Sequence, residues 1–377
     1  IKDMKQTLIL ASFILLLVAC QKKEQGINSN QPKFDLDKFE QNIKTTYGPQ
    51  ATGYSYTIAI GDKIMRFGGA GKASRSDADI PYNIETRQEI FSVTKFMTAI
   101  AVFKMLQIKG ISPDAYIHNY LPNSWTIHPS LMQISFRRLL SHNSGFAKND
   151  RDYASLKQMM NMAQIDTTRT YNNANFALCR ILLHYMKYGK GYFAAAEMNN
   201  TLESATALEF REIMRDLVLQ PSNIAHWEKI DFRNWNHQGL NNYPYTMFYR
   251  WNSNLSPVTN SDDVLIAGSR GLVMSTYEIA QVMIAFENNQ LVPEQTKQLM
   301  KIAGCGFDGV NGIGGAKGRY FWKNGGGPGG PGPGGECIIM SFPNSVYVSI
   351  NSNSNVDDNT QHVASPAKMV QAYDNAW

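Results

Sequence analysis

Cysteine is scarce in this chain: four in 377 residues. Cys20 closes an apolar N-terminal run, which leaves Cys179, Cys305 and Cys337. Three thiols cannot all pair, so at least one stays free even where disulfides form. Cys179 lies in an apolar helical pattern and reads as packing, and none of the three has the setting of a nucleophile. Histidine is sparse too. The seven present include no His-x-His or His-Glu-x-x-His pair, so no sequence-local zinc site is expected, and metal ligands are put at none. Charge of one sign is also lacking: the net charge is +5, and Lys and Arg are scattered. Nucleic acid is therefore not an expected partner. No low-complexity bias holds over most of the length, and the length suits one large domain or two packed together.

Long apolar runs are equally rare, and the clearest is N-terminal. Lys5 precedes Leu8 to Ala19, and the run ends Leu17-Val18-Ala19-Cys20. A basic start and a short apolar core read as an export signal, too short for a membrane span. Met4 is a candidate start. The tetrapeptide resembles the lipobox of bacterial lipoproteins, which implies lipidation of Cys20. Residues 1–20 are thus expected to be a signal peptide and residues 21–33, polar and free of aromatics, a flexible tether. The expected localisation is that of an exported bacterial lipoprotein, anchored to a membrane by its lipid, periplasmic or at the cell surface.

Tyr54 to Ile60 alternates as a strand should, and Gly61-Asp62 turns it into Lys63 to Phe67. A helix is predicted from near Ser92 to about Gln107, stopped by Lys109-Gly110. From Ile111 to about Ser269 helical patterns dominate, with Asn175 to Met186 one helix and Glu209 to Leu219 another. Asn234 to Pro257, rich in Asn, Trp and Tyr, reads as a long loop that either lines a cleft or packs as an insertion. Helices at Tyr277 to Phe286 and from Pro293 to about Ile302 follow. Then come strands at Cys337 to Phe342 and Val346 to Ile350, and a closing helix through Met369 to Tyr373. Strands near both ends with helices between predict an α+β fold: an antiparallel sheet built from both termini, flanking helices and an inserted helical lobe.

Chemistry is concentrated in Ile90-Phe91-Ser92-Val93-Thr94-Lys95. Three residues apart on a helix is one turn, which brings the Lys95 amine to the Ser92 hydroxyl. A serine needs a base, and a partly desolvated lysine can lose its proton and serve. The helix start also offers unpaired N–H groups to an oxyanion. Composition alone, however, supplies about one or two Ser-x-x-Lys matches in a chain this long, and Ser365-Pro366-Ala367-Lys368 is a second. Two further patterns stand in order behind the first. Tyr171-Asn172-Asn173 offers a phenol to relay protons and an amide to hold a substrate carbonyl or the lysine. Lys323-Asn324-Gly325 offers a cation for a substrate carboxylate, with backbone room for close approach. Each is weak alone, since Tyr373-Asp374-Asn375 and Lys187-Tyr188-Gly189 repeat the spacings.

Together the phrases resemble the penicillin-recognising serine hydrolases, in the branch holding class C β-lactamases, D-alanyl-D-alanine carboxypeptidases and related esterases. The likeness rests on Ile90 to Lys95, Tyr120-Leu121-Pro122, Leu139 to Phe146, Tyr171 to Phe176 and Gly268 to Thr276, all in the family's order. It covers about Phe34 to Trp377 and implies the β-lactamase/transpeptidase-like fold. A sheet lobe of about 34–110 and 270–377 and a helical lobe of about 111–269 would then meet at the active site. The resemblance implies Ser92 as nucleophile, Lys95 as its base and Tyr171 as proton relay. Asn173 would orient the substrate amide, and Ser92 and Gly326 would give oxyanion N–H groups. It implies no metal or cofactor. Lys323 and Gly325 would contact the substrate, a small molecule or peptide, and the protein would act as a monomer.

The third motif departs from the family. Every residue from Gly325 to Gly335 is glycine or proline, a run longer than expected and unsuited to a regular ladder. Counting back from Pro343 instead puts Pro328 at the cation's position. The Lys323 register is the one adopted here. Three functions stay open: a hydrolase acting on a β-lactam, D-amino-acid peptide or related amide; an esterase of the same fold; and a non-catalytic lipoprotein binding peptidoglycan-like ligands.

Overall fold

The first hairpin forms as its alternation predicts. β1 (Gly53–Ile60) turns through Gly61, whose φ of +62° suits a residue without a side chain, into β2 (Lys63–Ser74). The computed structural model describes residues 33–75, 80–193, 197, 201–232, 246–251, 253–259, 263–327, 332–355 and 365–377. The expected signal peptide with Cys20, the tether apart from Lys33, and Pro328 lie outside the described residues.

Chain order continues with β3 (Ile80–Pro81), β4 (Gln88–Glu89), β5 (Tyr249–Arg250) and β6 (Val273–Met274). After these come β7 (Ile313–Gly315), β8 (Gly318–Gly327), β9 (Gly335–Phe342), β10 (Val346–Ser352) and β11 (Ser354–Asn355). Seven of them make one antiparallel sheet in the order β3-β2-β1-β10-β9-β8-β7. Its centre is thus the first strand paired with the last of that sheet, with Ile58 opposite Val348 and Ile350 opposite Ile338. The α+β class and the sheet drawn from both ends of the chain are present. Helix α1 (Leu36–Tyr47) lies near the start of the described chain.

The next helix, α2 (Thr94–Lys109), is apolar nearly all round, with Phe96, Met97, Ile100, Val102, Phe103 and Leu106 buried. Such a helix belongs in an interior. Although Phe91–Lys109 is long and apolar enough to cross a membrane, it is enclosed by protein. Gly110, at φ +64°, caps it by donating to Gln107 and Leu106 carbonyls, where the sequence placed the stop. Helices α3 (Phe136–Leu140), α4 (Tyr153–Met160), α5 (Ala174–Tyr188) and α6 (Leu202–Met214) follow, and α2 packs on α5. Then come α7 (Thr276–Glu287), α8 (Glu294–Ala303) and α9 (Pro366–Asp374), the last packing on α1. Leu36–Ala376 form one compact unit.

Three expectations shift. The helix expected at Glu209 starts at Leu202, because Glu203, Ser204 and Thr206 dilute the apolar pattern of its first turns; Arg215–Leu219 continue it as a π-turn. The stretch 234–257, read as unpatterned, contributes β5, which pairs parallel with β11 through Tyr249 and Ser354. Two residues are too few to show alternation. Finally, Gly325, Gly326 and Gly327 do join a ladder, opposite Cys337, Glu336 and Gly335. The neighbouring strand β9 is fully buried and supplies the regularity that glycines lack.

Candidate active site

Ser92 sits in a single 3-10 turn, Phe91–Val93, that leads directly into α2. Phe91 takes φ +46°, a left-handed conformation costly for a residue with a bulky side chain. The turn is held from outside: Ile90 N–H donates to Leu272 carbonyl at 2.9 Å, and β4 pairs with β6 just before it. Across from it, β8 runs so close that a Cβ on Gly325 would lie 2.5 Å from the Ser92 nitrogen. Only glycine fits there.

Lys95 is fully buried. Its Nζ lies 2.8 Å from Asn173 Oδ1, 2.7 Å from the Ser269 carbonyl and 3.0 Å from Ser92 Oγ. Burial, and then the charge of Lys323, hold its pKa well below the ordinary lysine value; Arg151 and Arg270 add to this and Asp308 opposes it. A neutral amine has two N–H groups and one lone pair. In that neutral form the two carbonyl oxygens would accept the two N–H groups, which would leave the lone pair for the Ser92 hydroxyl. Tyr171 completes the cluster, its Oη 2.7 Å from Ser92 Oγ. If Ser92 then donates to Lys95, Tyr171 is the donor to Ser92.

The phrase Ser141 to Phe146 turns out to hold Tyr171. His142 Nδ1 accepts from the Asn172 N–H at 3.2 Å and from Asn175 Nδ2 at 3.1 Å. Its ring lies 4.7 Å from the Tyr171 ring. Burial, then nearby cations, push the His142 pKa down to about 2, so the imidazole is neutral and Nδ1 is free to accept. Ser144 Oγ donates to Asn175 Oδ1 at 2.5 Å. The Tyr-x-Asn turn therefore rests on a fully satisfied polar network beneath it.

Gly326 lines the cleft. Asp308 N–H donates to the Trp322 carbonyl and Asn324 N–H donates to Asp308, so alternate residues of β8 point away from β9. Two residues beyond Asn324, Gly326 shares that direction. Lys323 is placed differently from expectation. The residue is 2% exposed, and its ammonium lies 2.8 Å from both Asp308 carboxylate oxygens. The carboxylate expected from a substrate is supplied by the protein itself. Lys323 instead stands 5.5 Å from the Tyr171 ring centroid, and it acts on the site through its field.

The cleft is a cavity of about 370 Å³ lined by Phe91, Ser92, Asn149, Arg151, Tyr171, Asn173, Arg270 and Gly326. Sequence reasoning missed Phe91, Asn149, Arg151 and Arg270. Arg270 stands inside the glycine-rich phrase that carried part of the resemblance, a signal present in the sequence. It donates to both Glu89 oxygens at 2.7 and 2.6 Å, with Asp263 at 2.9 Å. Burial works against this cation, but the two carboxylates prevail and hold its pKa up. Nothing local marks Asn149 or Arg151. Ser365 stands just before α9 and Lys368 on it, both outside the lining, and the three free cysteines are buried, with burial pushing the Cys305 thiol up to about 12.

A family model described as Beta-lactamase matches residues 39–368, and the chain accordingly has a serine hydrolase fold. It belongs to the Beta-lactamase family. None of the curated proteins matches it by sequence. Among solved structures it is similar to the octameric penicillin-binding protein homologue from Pyrococcus abyssi, at 16% identity and TM-score 0.64, over 91% of this chain and 77% of that one. The D-amino acid amidase from Ochrobactrum anthropi aligns at 14% identity and TM-score 0.62, covering 90% and 99%. A class C beta lactamase from Rhodobacter sphaeroides gives 14% and 0.62, covering 89% and 99%. Identities this low speak to the fold alone.

Proposed function

We propose that this protein is a serine hydrolase working through an acyl-enzyme on Ser92, with a β-lactam, D-amino-acid peptide or related amide as substrate. The observation that carries the reading is Lys95, buried and with both N–H positions committed, 3.0 Å from Ser92 Oγ. Lys95 takes the Ser92 proton as Oγ attacks the substrate carbonyl. The Ser92 and Gly326 N–H groups hold the oxyanion. Tyr171 gives its proton to the leaving nitrogen and is replenished from Lys95. Asn173 keeps Lys95 in place and meets the substrate amide. Water then attacks the ester by the same route reversed. The names of two similar structures, a class C beta lactamase and a D-amino acid amidase, support an amide-type substrate.

Esterase activity is the second reading, and one observation favours it: Lys323 is engaged by Asp308, and an ester needs no such cation. Nitrocefin, a D-Ala-D-Ala peptide and a short-chain nitrophenyl ester separate the two. Turnover of the first or second supports the amide reading; turnover of the ester alone overturns it. A non-catalytic binder would turn over none. The N-terminal Leu17-Val18-Ala19-Cys20 further supports an exported lipoprotein anchored through Cys20. Cys20→Ser should end labelled-palmitate incorporation in cells, and persistent incorporation would contradict the anchor.

A further inference from the structure

Among the described residues, two arginines and no carboxylate line the cleft. Arg270 is spent on Glu89 and Asp263, and Lys323 behind the wall is spent on Asp308. Arg151 differs, because no carboxylate among the described residues lies within ion-pair reach of it. A guanidinium facing a cleft with no counter-charge among the described residues offers a planar fork suited to a carboxylate. Its backbone is also fixed. The Arg151 carbonyl accepts from Arg180, a fully buried arginine of α5, at 3.3 Å, and Arg180 reaches the Ala267 carbonyl at 2.9 Å. The next residue, Asp152, caps α4 by accepting from Ser155 N–H at 2.9 Å. Nearby, Asn149 Oδ1 accepts from Asn173 N–H at 2.5 Å, which ties the same loop to the catalytic turn. On so constrained a loop only the rotamers of the Arg151 side chain remain to be ordered when it binds.

We propose that Arg151 is the specificity-determining residue that receives a carboxylate of the substrate, so that the anion is read from the helical-lobe loop and not by Lys323 on β8. This rests on the Ser92 hydrolase reading and narrows its substrates to those bearing a carboxylate. It also accounts for a third-motif lysine that is already paired.

Two ester pairs test it. 3-Carboxyphenyl butyrate against 3-carbamoylphenyl butyrate puts the charge in the leaving group. Mono-(4-nitrophenyl) adipate against 4-nitrophenyl hexanoate puts it in the acyl group. The wild-type protein should favour the anionic member of at least one pair by about tenfold or more in kcat/KM. Arg151→Gln should erase that preference, and Arg151→Lys should keep part of it. Ratios within one variant cancel losses of folded protein, and the wild-type ratio needs no variant at all. Because the Arg151 charge helps depress Lys95, Arg151→Gln should also move the acid limb of the pH profile upward. Absence of preference in both wild-type pairs, or a preference surviving in Arg151→Gln, overturns the assignment while leaving the hydrolase reading intact. Absence of all turnover, with Ser92 unlabelled by a fluorophosphonate, overturns both.

Discussion

Lys95 can serve as a base only because its charged form is expensive where it stands. Full burial removes water, and the Lys323 ammonium adds repulsion, while Asp308 gives some of the cost back. The sign of each contribution can be read in a pH profile. The lysine must be neutral to accept the Ser92 proton, so activity should fall as pH drops through its folded-state pKa. Lys323→Met removes a cation that depresses Lys95, which raises that pKa and moves the acid limb of kcat/KM to higher pH. Asp308→Asn removes the opposing charge and moves the limb lower. Profiles on a neutral ester check both, and limbs unmoved in both variants would contradict the field argument. The Asp308–Lys323 pair itself was not legible, because fifteen residues separate the partners and no local pattern joins them.

At the scale of elements, the site is a contact between a strained turn and a strand edge. Phe91 at φ +46° starts the turn that carries Ser92 into the helix, and Gly325 lets β8 press against the Ser92 nitrogen. A methyl group at Gly325 would meet Ser92 N at 2.5 Å and Ile90 carbonyl at 2.9 Å, both backbone atoms that cannot swing away. Gly325→Ala should therefore displace Ser92 and lower kcat/KM by about 100-fold, the penalty typical of a shift near 1 Å. Steady-state kinetics on the ester check this, and a loss below about threefold would mean that the turn and strand are not coupled. Helical spacing made the Ser92–Lys95 pairing readable in advance. The left-handed Phe91 was not readable, since a non-glycine residue at positive φ leaves no mark in sequence. Asn149, Arg151 and Arg270 reach the cleft from loops whose course depends on the finished fold.

Across the whole molecule, the two ends of the described chain close the sheet together. Phe342 of β9 stacks on Tyr373 of α9 at 4.2 Å, and Phe39 of α1 meets both edge-on at 5.7 and 5.6 Å. Asn42 Nδ2 donates to the Ala372 carbonyl at 2.9 Å, joining the two helices directly. Tyr373→Ala would leave a cavity in this cluster and should cost about 3–5 kcal/mol of stability. Equilibrium denaturant unfolding measures it, and a cost below about 1 kcal/mol would show that the cluster does not hold the ends. Strand alternation near both ends was enough to predict this plan. The same placement explains why Ser365 and Lys368, with the spacing of Ser92 and Lys95, are only the start of α9. Spacing is common; a buried lysine with its N–H groups accounted for is not. The direct test of that distinction is mass-spectrometric mapping of the folded protein after a fluorophosphonate and, separately, a labelled penicillin. The account predicts adduct on Ser92 with at least one reagent, lost in Ser92→Ala and retained in Ser365→Ala; no adduct with either reagent, or one that survives Ser92→Ala, would contradict it.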